Sequence, residues 1–312
     1  MQVVTDINSD TFKSKTGVGL GSFDGLHIGH MALINTLVSE CRLNGLDSVV
    51  FTFKNHPESM LSKNAVSPLI TLNDHKTRLL ESTGLDYLCY QEFDEAFSKL
   101  EPDEFIKEVL LNKLNARLIV VGFNYRFGHK GRGDAEYLKK RGEEWGFRVI
   151  VVPPLSVDNE VVSSTLIRKY IMEGKIDRVF QLLGRHFSLS GKVVSGKRIG
   201  RTLGFPTANI TAHPDMVVPA NGVYITKTRV NGNWLNGVTN VGNAPTIRNE
   251  NLFSIETHLL DWDFDEELYG TPIEVCFITK LRGERKFENV EALKKQVEED
   301  IQKARLYWDV LK

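Results

Sequence analysis

Cysteine is scarce: Cys41, Cys89 and Cys276 are the only three in 312 residues, odd in number and far apart. This excludes a disulfide framework and the paired spacing of a structural zinc site, and it points to a reducing compartment. No apolar run approaches the about 20 residues that a bilayer span requires. The amino-terminal stretch MQVVTDINSDTFKSK carries Asp6 and Asp10 where a leader would have an apolar core. A soluble, cytoplasmic protein with no membrane partner is expected. Net charge is scarce too, since 39 Lys and Arg against 40 Asp and Glu leave −1, which excludes bulk electrostatic attachment to nucleic acid. Neither internal repeats nor low-complexity segments occur. What is present is a folded composition, 41% hydrophobic and 25% charged, in a chain longer than one core usually fills. Two domains are expected.

Up to about residue 155, short β-branched runs alternate with longer amphipathic segments, the pattern of a parallel sheet with crossover helices. Strands are predicted over Gly17 to Phe23, Ser48 to Phe53, Tyr87 to Gln91, Leu118 to Gly122 and Val149 to Val152. Helices are predicted from about His30 to Asn44, from about Pro102 to Leu114, and from near Asp134. A small helix pair, Ser164 to Glu173 and Lys175 to Leu183, follows. Thereafter the runs are strand-sized: Gly222 to Val230, Trp234 to Val241, Phe253 to Leu260 and Ile273 to Thr279, with Asn231-Gly232-Asn233 as a hairpin signal. The texture predicts an α/β domain over 1–183 and a β-barrel domain over 184–312. Val290, Leu293, Val297, Ile301 and Ala304 form one stripe of a closing helix that packs on the barrel.

The first chemically informative stretch is GSFDGLHIGH, residues 21–30, between the first strand and the first helix. His27 and His30 are three apart, at a helix end where backbone N–H groups and the dipole attract anions, so the pair suits a triphosphate. Gly25 and Gly29 let the backbone approach such a ligand. A dinucleotide fingerprint is excluded, because Gly17, Gly19 and Gly21 are followed by Ser22 where the final glycine would stand. The stretch resembles the HxGH signature of the nucleotidyltransferase superfamily, and FDGLHIGH resembles the bacterial FAD synthetase branch. FTFKNHP at 51–57, GFNYRFGHKGRGD at 122–134 and SSTLIR at 163–168 agree in order. The resemblance implies transfer of AMP from ATP to the phosphate of FMN, with release of pyrophosphate. It implies that Gly21, Phe23, Asp24, Gly25 and Gly29 form the ATP loop around the histidines. Asn124 and Arg126 then belong to the nucleotide and flavin-phosphate region, and Ser164 and Arg168 flank the phosphates. The family usually reads Asp-Pro where Lys54 and Asn55 stand, so a weakened adenylylation half stays open as an alternative. His56 is a site residue or the shaper of a His-Pro turn.

The second stretch is GKVVSGKRIGRTLGFPTANI, residues 191–210. Gly191, Gly196 and Lys197 mimic a Walker A loop, but Arg198 replaces its Ser or Thr and no helix pattern follows. Gly196, Gly200 and Gly204 suggest instead a mobile basic loop able to close on phosphates. In an extended conformation Thr207 and Asn209 project to one side, offering a hydroxyl and an amide oxygen, hard ligands of the kind Mg²⁺ takes. In FSIETHLLD, 253–261, Phe253, Ile255 and Leu259 alternate to the core, leaving Glu256 and His258 on the other face. A strand carboxylate there is able to accept the proton of a substrate alcohol.

GRTLGFPTANI, GVY at 222–224, NVGNAPT at 240–246, ETHLLD, LYG at 268–270 and FITKLRGERKF at 277–287 resemble riboflavin kinase over essentially all of 186–312. Ala244 stands where an arginine is common. The resemblance implies that Thr207 and Asn209 ligate magnesium, that Glu256 is the base for the riboflavin 5′-hydroxyl, and that Arg282 and Glu284 line the flavin pocket. Together the two halves imply an enzyme that makes FMN from riboflavin and FAD from FMN, with ATP as co-substrate and Mg²⁺ as cofactor. A flavin-sensing module without turnover is the competing class, and a homo-oligomer stays open as the assembly.

Overall fold

The computed structural model describes residues 1–7, 11–55, 57, 67–196, 200, 203–243, 253–262 and 268–310. His56, Lys197, Arg198 and Ala244 lie outside the described residues. The chain divides into two compact units, Met1–Ser164 and Thr165–Lys312.

The first unit is built on six parallel strands: β1 Gln2–Val4, β2 Thr16–Leu20, β3 Asp47–Phe53, β4 Tyr87–Gln91, β5 Ala116–Gly122 and β6 Arg148–Val152, in the order β1-β4-β3-β2-β5-β6. Helix α1, Ile28–Asn44, follows β2, and α2, Asn73–Glu81, connects β3 to β4. Helix α3 opens as Pro102–Glu104 and continues over Phe105–Lys113 in the wider π form, closed by Leu114 N–H donating to Val109 five residues back. Helix α4, Ala135–Trp145, is capped by Asp134, whose carboxylate accepts from Tyr137 N–H. Strand residues alternate between two cores: Val49, Phe51, Ile119 and Val121 on one face, Val50, Leu88, Leu118 and Val120 with the apolar side of α1 on the other. Each such side chain, fully buried, contributes about 1.5–3 kcal/mol. Because the chain runs from β2 to β3 on one side and resumes on the other with β5, the order reverses beside β2. That places a crevice at the carboxyl ends of β2 and β5, where open α/β sheets bind ligands.

Strand β2 stops at Leu20, short of Phe23, because Phe23 takes a positive φ of 49° that no strand accepts. Helix α2 and the strand β1 went unforeseen.

The second unit opens with helices α5, Ser164–Met172, and α6, Ile176–Leu183. Six strands follow: β7 Phe187–Val194, β8 Ala208–Thr211, β9 Gly222–Val230, β10 Asn233–Asn243, β11 Phe253–Leu259 and β12 Pro272–Arg282. They close a barrel in the order β7-β8-β11-β10-β9-β12. The hairpin between β9 and β10 turns at Asn231 and Gly232, both at positive φ as expected. Helix α7, Val290–Val310, lays Ala304, Ile301, Tyr307 and Trp308 on Val223, Ile225, Val238 and Ile278 of the barrel. Val290, assigned to its apolar stripe, is instead 58% exposed, and the buried face includes Asp300.

The helix pair falls in the second unit, although the sequence texture groups it with the first. Thr279 of β12 donates to Asp177 of α6 at 3.2 Å, Ala220 N–H donates to the Ile171 carbonyl, and the Phe180 ring lies 4.5 Å from that of His186. Helix α6 buries Ile176, Val179, Leu182 and Leu183, several kcal/mol against a typical domain stability of about 5–15 kcal/mol. A fragment starting at Thr165 is therefore expected to melt cooperatively, and one starting at Leu183 to melt at least about 10 °C lower or not to fold. Equal melting temperatures of the two fragments would remove the helix pair from the barrel unit.

Candidate active sites

The first site grows from the turn between β2 and α1. His27 is the N-cap of α1, outside the helix, and its Nδ1 accepts from His30 N–H at 3.2 Å. The two imidazoles stack with centroids 3.6 Å apart and planes inclined by 15°. They thus form one plate at the positive end of a 17-residue helix. Gly29 lies against the His27 ring. The loop before them is tightly wound: Phe23, Gly25 and Leu26 have φ of 49°, 84° and 41°. Gly25 meets that demand without strain, whereas Phe23 and Leu26 are held there by complete burial. Phe23 packs edge-on against His30, centroids 5.3 Å apart, and Gly21 faces its ring. The Asp24 carboxylate accepts from Ile70 N–H and Thr71 N–H at 3.0–3.1 Å, and its carbonyl accepts from the Ser164 hydroxyl at 2.8 Å. Asp24 and Ser164 thus serve as struts of this loop.

Asn124 and Arg126 leave the carboxyl end of β5, on the other side of the crevice from β2, and both are exposed. Arg126 pairs with Asp134 at 3.1 Å. Arg168 is buried on α5 and falls in the second compact unit. The Lys54 and Asn55 departure has a local account. The Asn55 amide closes a two-bond bridge with the Phe93 backbone, at 2.9 and 2.8 Å, and Lys54 is exposed while its carbonyl accepts from Asn73. Asn55 is a loop fastener.

The second site lies across three neighbouring barrel strands. In the register of β8, β11 and β10, Asn209 stands directly opposite Glu256, and Glu256 opposite Asn240. Ile255, Thr257 and Leu259 turn into the barrel, so Glu256 and His258 share the outward face, as the alternation predicts. Phe253, assigned to the core side, is only partly buried. The Ser254 hydroxyl donates to Glu256 at 3.1 Å. His258 Nδ1 lies 2.9 Å from the Pro206 carbonyl, tying the Pro-Thr-Ala-Asn run to the strand that carries Glu256. Burial lowers the His258 affinity for a proton, against the opposing pull of its bond to the Pro206 carbonyl.

Thr207 and Asn209 come together, but through the amide nitrogen where the sequence reading has the amide oxygen: Asn209 Nδ2 donates to Thr207 Oγ1 at 3.3 Å. Gly196 makes room for them: a Cβ there would fall 2.8 Å from the Asn209 side chain. Gly200 is bonded through its carbonyl to Phe205 N–H at 2.7 Å, and Gly204 turns with φ 90°. Arg282 is already engaged, its Nε and Nη2 forked onto Asp300 of α7 at 2.8–3.2 Å, and the Glu284 carboxylate accepts from Asn221 at 3.2 Å. The Asp300 partner and the His258 tether escaped sequence reasoning, for both are long-range pairings. Among the described residues no group of three or more His, Cys, Asp or Glu side chains is arranged to hold a metal. The cysteines are unpaired, and burial pushes the Cys89 and Cys276 thiols up to about 12.

Residues 9–166 match the family model for FAD synthetase, and residues 183–308 match that for riboflavin kinase. A bifunctional riboflavin kinase/FMN adenylyltransferase of Buchnera aphidicola from Schizaphis graminum is 35% identical over 97% of both chains. Relatives of the same name are 36% identical in Listeria monocytogenes, over 93% of this chain and 92% of the relative, and 34% in Escherichia coli K12, over 94% and 93%. The chain belongs to the bifunctional riboflavin kinase/FMN adenylyltransferase family. A crystal structure described as a macrolide-efflux protein from Streptococcus pneumoniae is 30% identical, with a TM-score of 0.89 over 98% of this chain and 99% of that one. Among the described residues no helix is long and apolar enough to cross a membrane. Of the two family halves, the FAD synthetase match ends two residues before Arg168.

Proposed function

We propose that the first unit adenylylates FMN at the histidine loop and that the second phosphorylates riboflavin on the outward face of β8 and β11, in the cytoplasm. The observation that carries this reading is that, Arg168 aside, each compact unit holds its own constellation within its own family match. In the kinase reaction the riboflavin 5′-oxygen attacks the γ-phosphorus of ATP, its proton passes to the Glu256 carboxylate, and the bond to the ADP oxygen breaks. Thr207 Oγ1 and the Asn209 amide oxygen would hold Mg²⁺. The pair offers hard oxygen donors of the kind that ion takes once the Asn209 amide turns its oxygen rather than its nitrogen inward; when bound, the ion would neutralise and orient the ATP phosphates. Gly200 and Gly204 border the nucleotide, while Arg282, clamped by Asp300, and Glu284 border the flavin.

In the adenylylation an FMN phosphate oxygen attacks the α-phosphorus and pyrophosphate leaves. No enzyme nucleophile is required, so the protein contributes position and charge. His27 and His30 meet the ATP phosphates at the α1 terminus, with Asn124 and Arg126 across the crevice. Mass analysis of products from riboflavin, ATP and Mg²⁺ tests the whole: FMN plus FAD is expected. FMN alone would support a weakened adenylylation half, and bound riboflavin without product a flavin-sensing module.

Thr207→Ala separates the metal role from that of the base. Losing one of two ligands is expected to lower kinase turnover about tenfold or more at limiting Mg²⁺, with recovery as the ion is raised. A loss that no magnesium concentration repairs would deny Thr207 its ligand role.

A further inference from the structure

Helix α2 places a charge where a core residue belongs. Its buried residues are Lys76 and Leu80, one turn apart, and Lys76 is only 4% exposed. The ammonium donates to the Ser22 carbonyl at 2.9 Å, an oxygen that also accepts from Thr52 Oγ1 at 3.0 Å. The other groups facing it among the described residues are the Asp24 carboxylate from the loop and the Tyr90 ring of β4, whose centroid lies 6.0 Å from Nζ. The Tyr90 hydroxyl is occupied by Thr77 and the Asn73 carbonyl. Burial lowers the Lys76 pKa to about 8, against the opposing pull of Asp24. A methionine would fill the same volume without that desolvation, so fold stability gives no reason for a lysine here.

The oxygen that Lys76 holds opens the strained loop. Ser22 is followed by Phe23, Gly25 and Leu26 at positive φ, and bulky residues persist in that region only where their surroundings over-determine them. Phe23 in turn meets the His30 ring edge-on. Direct contacts therefore run from Lys76 through the Ser22 carbonyl and Phe23 to His30.

We propose that Lys76 is a positioning residue for adenylyl transfer, its buried ammonium fixing the Ser22 carbonyl so that the loop presents His27 and His30 to the nucleotide. The proposal rests on the reading of the histidine loop as the adenylylation site. It also accounts for the charge, since an enclosed cation behind a phosphate-binding loop acts with little screening.

The test is Lys76→Met in the full chain, assayed with FMN and Mg-ATP. FAD formation is expected to lose about 10- to 100-fold in kcat while KM for FMN and ATP moves less than about threefold. Riboflavin phosphorylation should keep its wild-type rate, and the melting temperature should not fall. In the wild type, kcat for FAD formation should decline as pH rises through about 8, since the ammonium is the acting form. Should Lys76→Met not fold, Lys76→Arg is profiled in its place: its guanidinium stays charged, so the decline is expected to disappear, and persistence of the decline overturns the proposal. Unchanged FAD formation in the folded variant, a loss that follows a lowered melting temperature, or a flat wild-type profile across that pH range overturns the proposal. His30→Ala, run in parallel, tells the two failures apart. If it loses FAD formation while Lys76→Met keeps it, the positioning role falls and the site stands. If His30→Ala keeps FAD formation, the site reading falls and takes the positioning role with it.

Discussion

Glu256→Gln is expected to lower riboflavin kinase turnover about 10²- to 10⁴-fold, the range that a positioned general base contributes. The change is nearly isosteric: glutamine retains an oxygen to accept from Ser254, which now donates at 3.1 Å, and loses only basicity. The β11 register, Asn209 on one side and Asn240 on the other, does not depend on side-chain charge, so the barrel should keep its stability within about 0.5 kcal/mol. Affinities for riboflavin and Mg-ATP should move little, because the lost interaction is made in the transition state. FAD formation from supplied FMN should persist, and magnesium should not restore the kinase rate, in contrast to Thr207→Ala. Steady-state kinetics over a magnesium titration provide the check. Intact turnover with weakened riboflavin binding would make Glu256 a flavin-orienting group and leave the base to be found elsewhere.

His30→Ala is expected to remove about 10²- to 10³-fold or more of the rate of FAD formation from FMN, and to leave FMN formation from riboflavin near the wild-type rate. The magnitude is that of deleting one preorganised donor aimed at developing phosphate charge. The bond that caps α1 runs from the His30 backbone N–H to His27 Nδ1, and alanine keeps it. The stability cost should therefore stay within about 1 kcal/mol, below that of a lost cap. What disappears is half of the stacked imidazole plate. Separate assays of the two reactions on one preparation provide the measurement, and equal loss of both would sink the two-site assignment.

Legibility in the sequence followed the range of the interaction. The strands β3 to β6 and the helices α1 and α4 announce themselves because their apolar spacing is local. Helix α2 does not, since its buried positions, Lys76 and Leu80, put a charge on the inner face and hide the period. Strand β8 has only four residues, too few for alternation to stand out, and β7 was masked by a glycine-rich text that mimics a phosphate loop. The Asp300 carboxylate sits in the apolar stripe of α7 and has no visible reason there until Arg282 arrives from β12.

The sequence by itself determined the family and the two chemistries, and it supplied the side chains on which we propose they turn: the histidine pair with its glycines, the Pro-Thr-Ala-Asn run, and a glutamate on the outward face of a strand. These are short motifs whose chemistry depends on spacing within about ten residues. Only the tertiary structure decided which of them meet. The central place of β2, with the chain resuming on its other side at β5, puts the histidine loop and Asn124 on opposite sides of one crevice. The pairing of β8 with β11 brings Asn209 opposite Glu256 across 47 residues of chain. Burial behind the loop turns Lys76 from a surface residue into an enclosed cation. Such pairings are selected by the burial of non-local apolar faces and the closure of the barrel, which no short window of sequence contains.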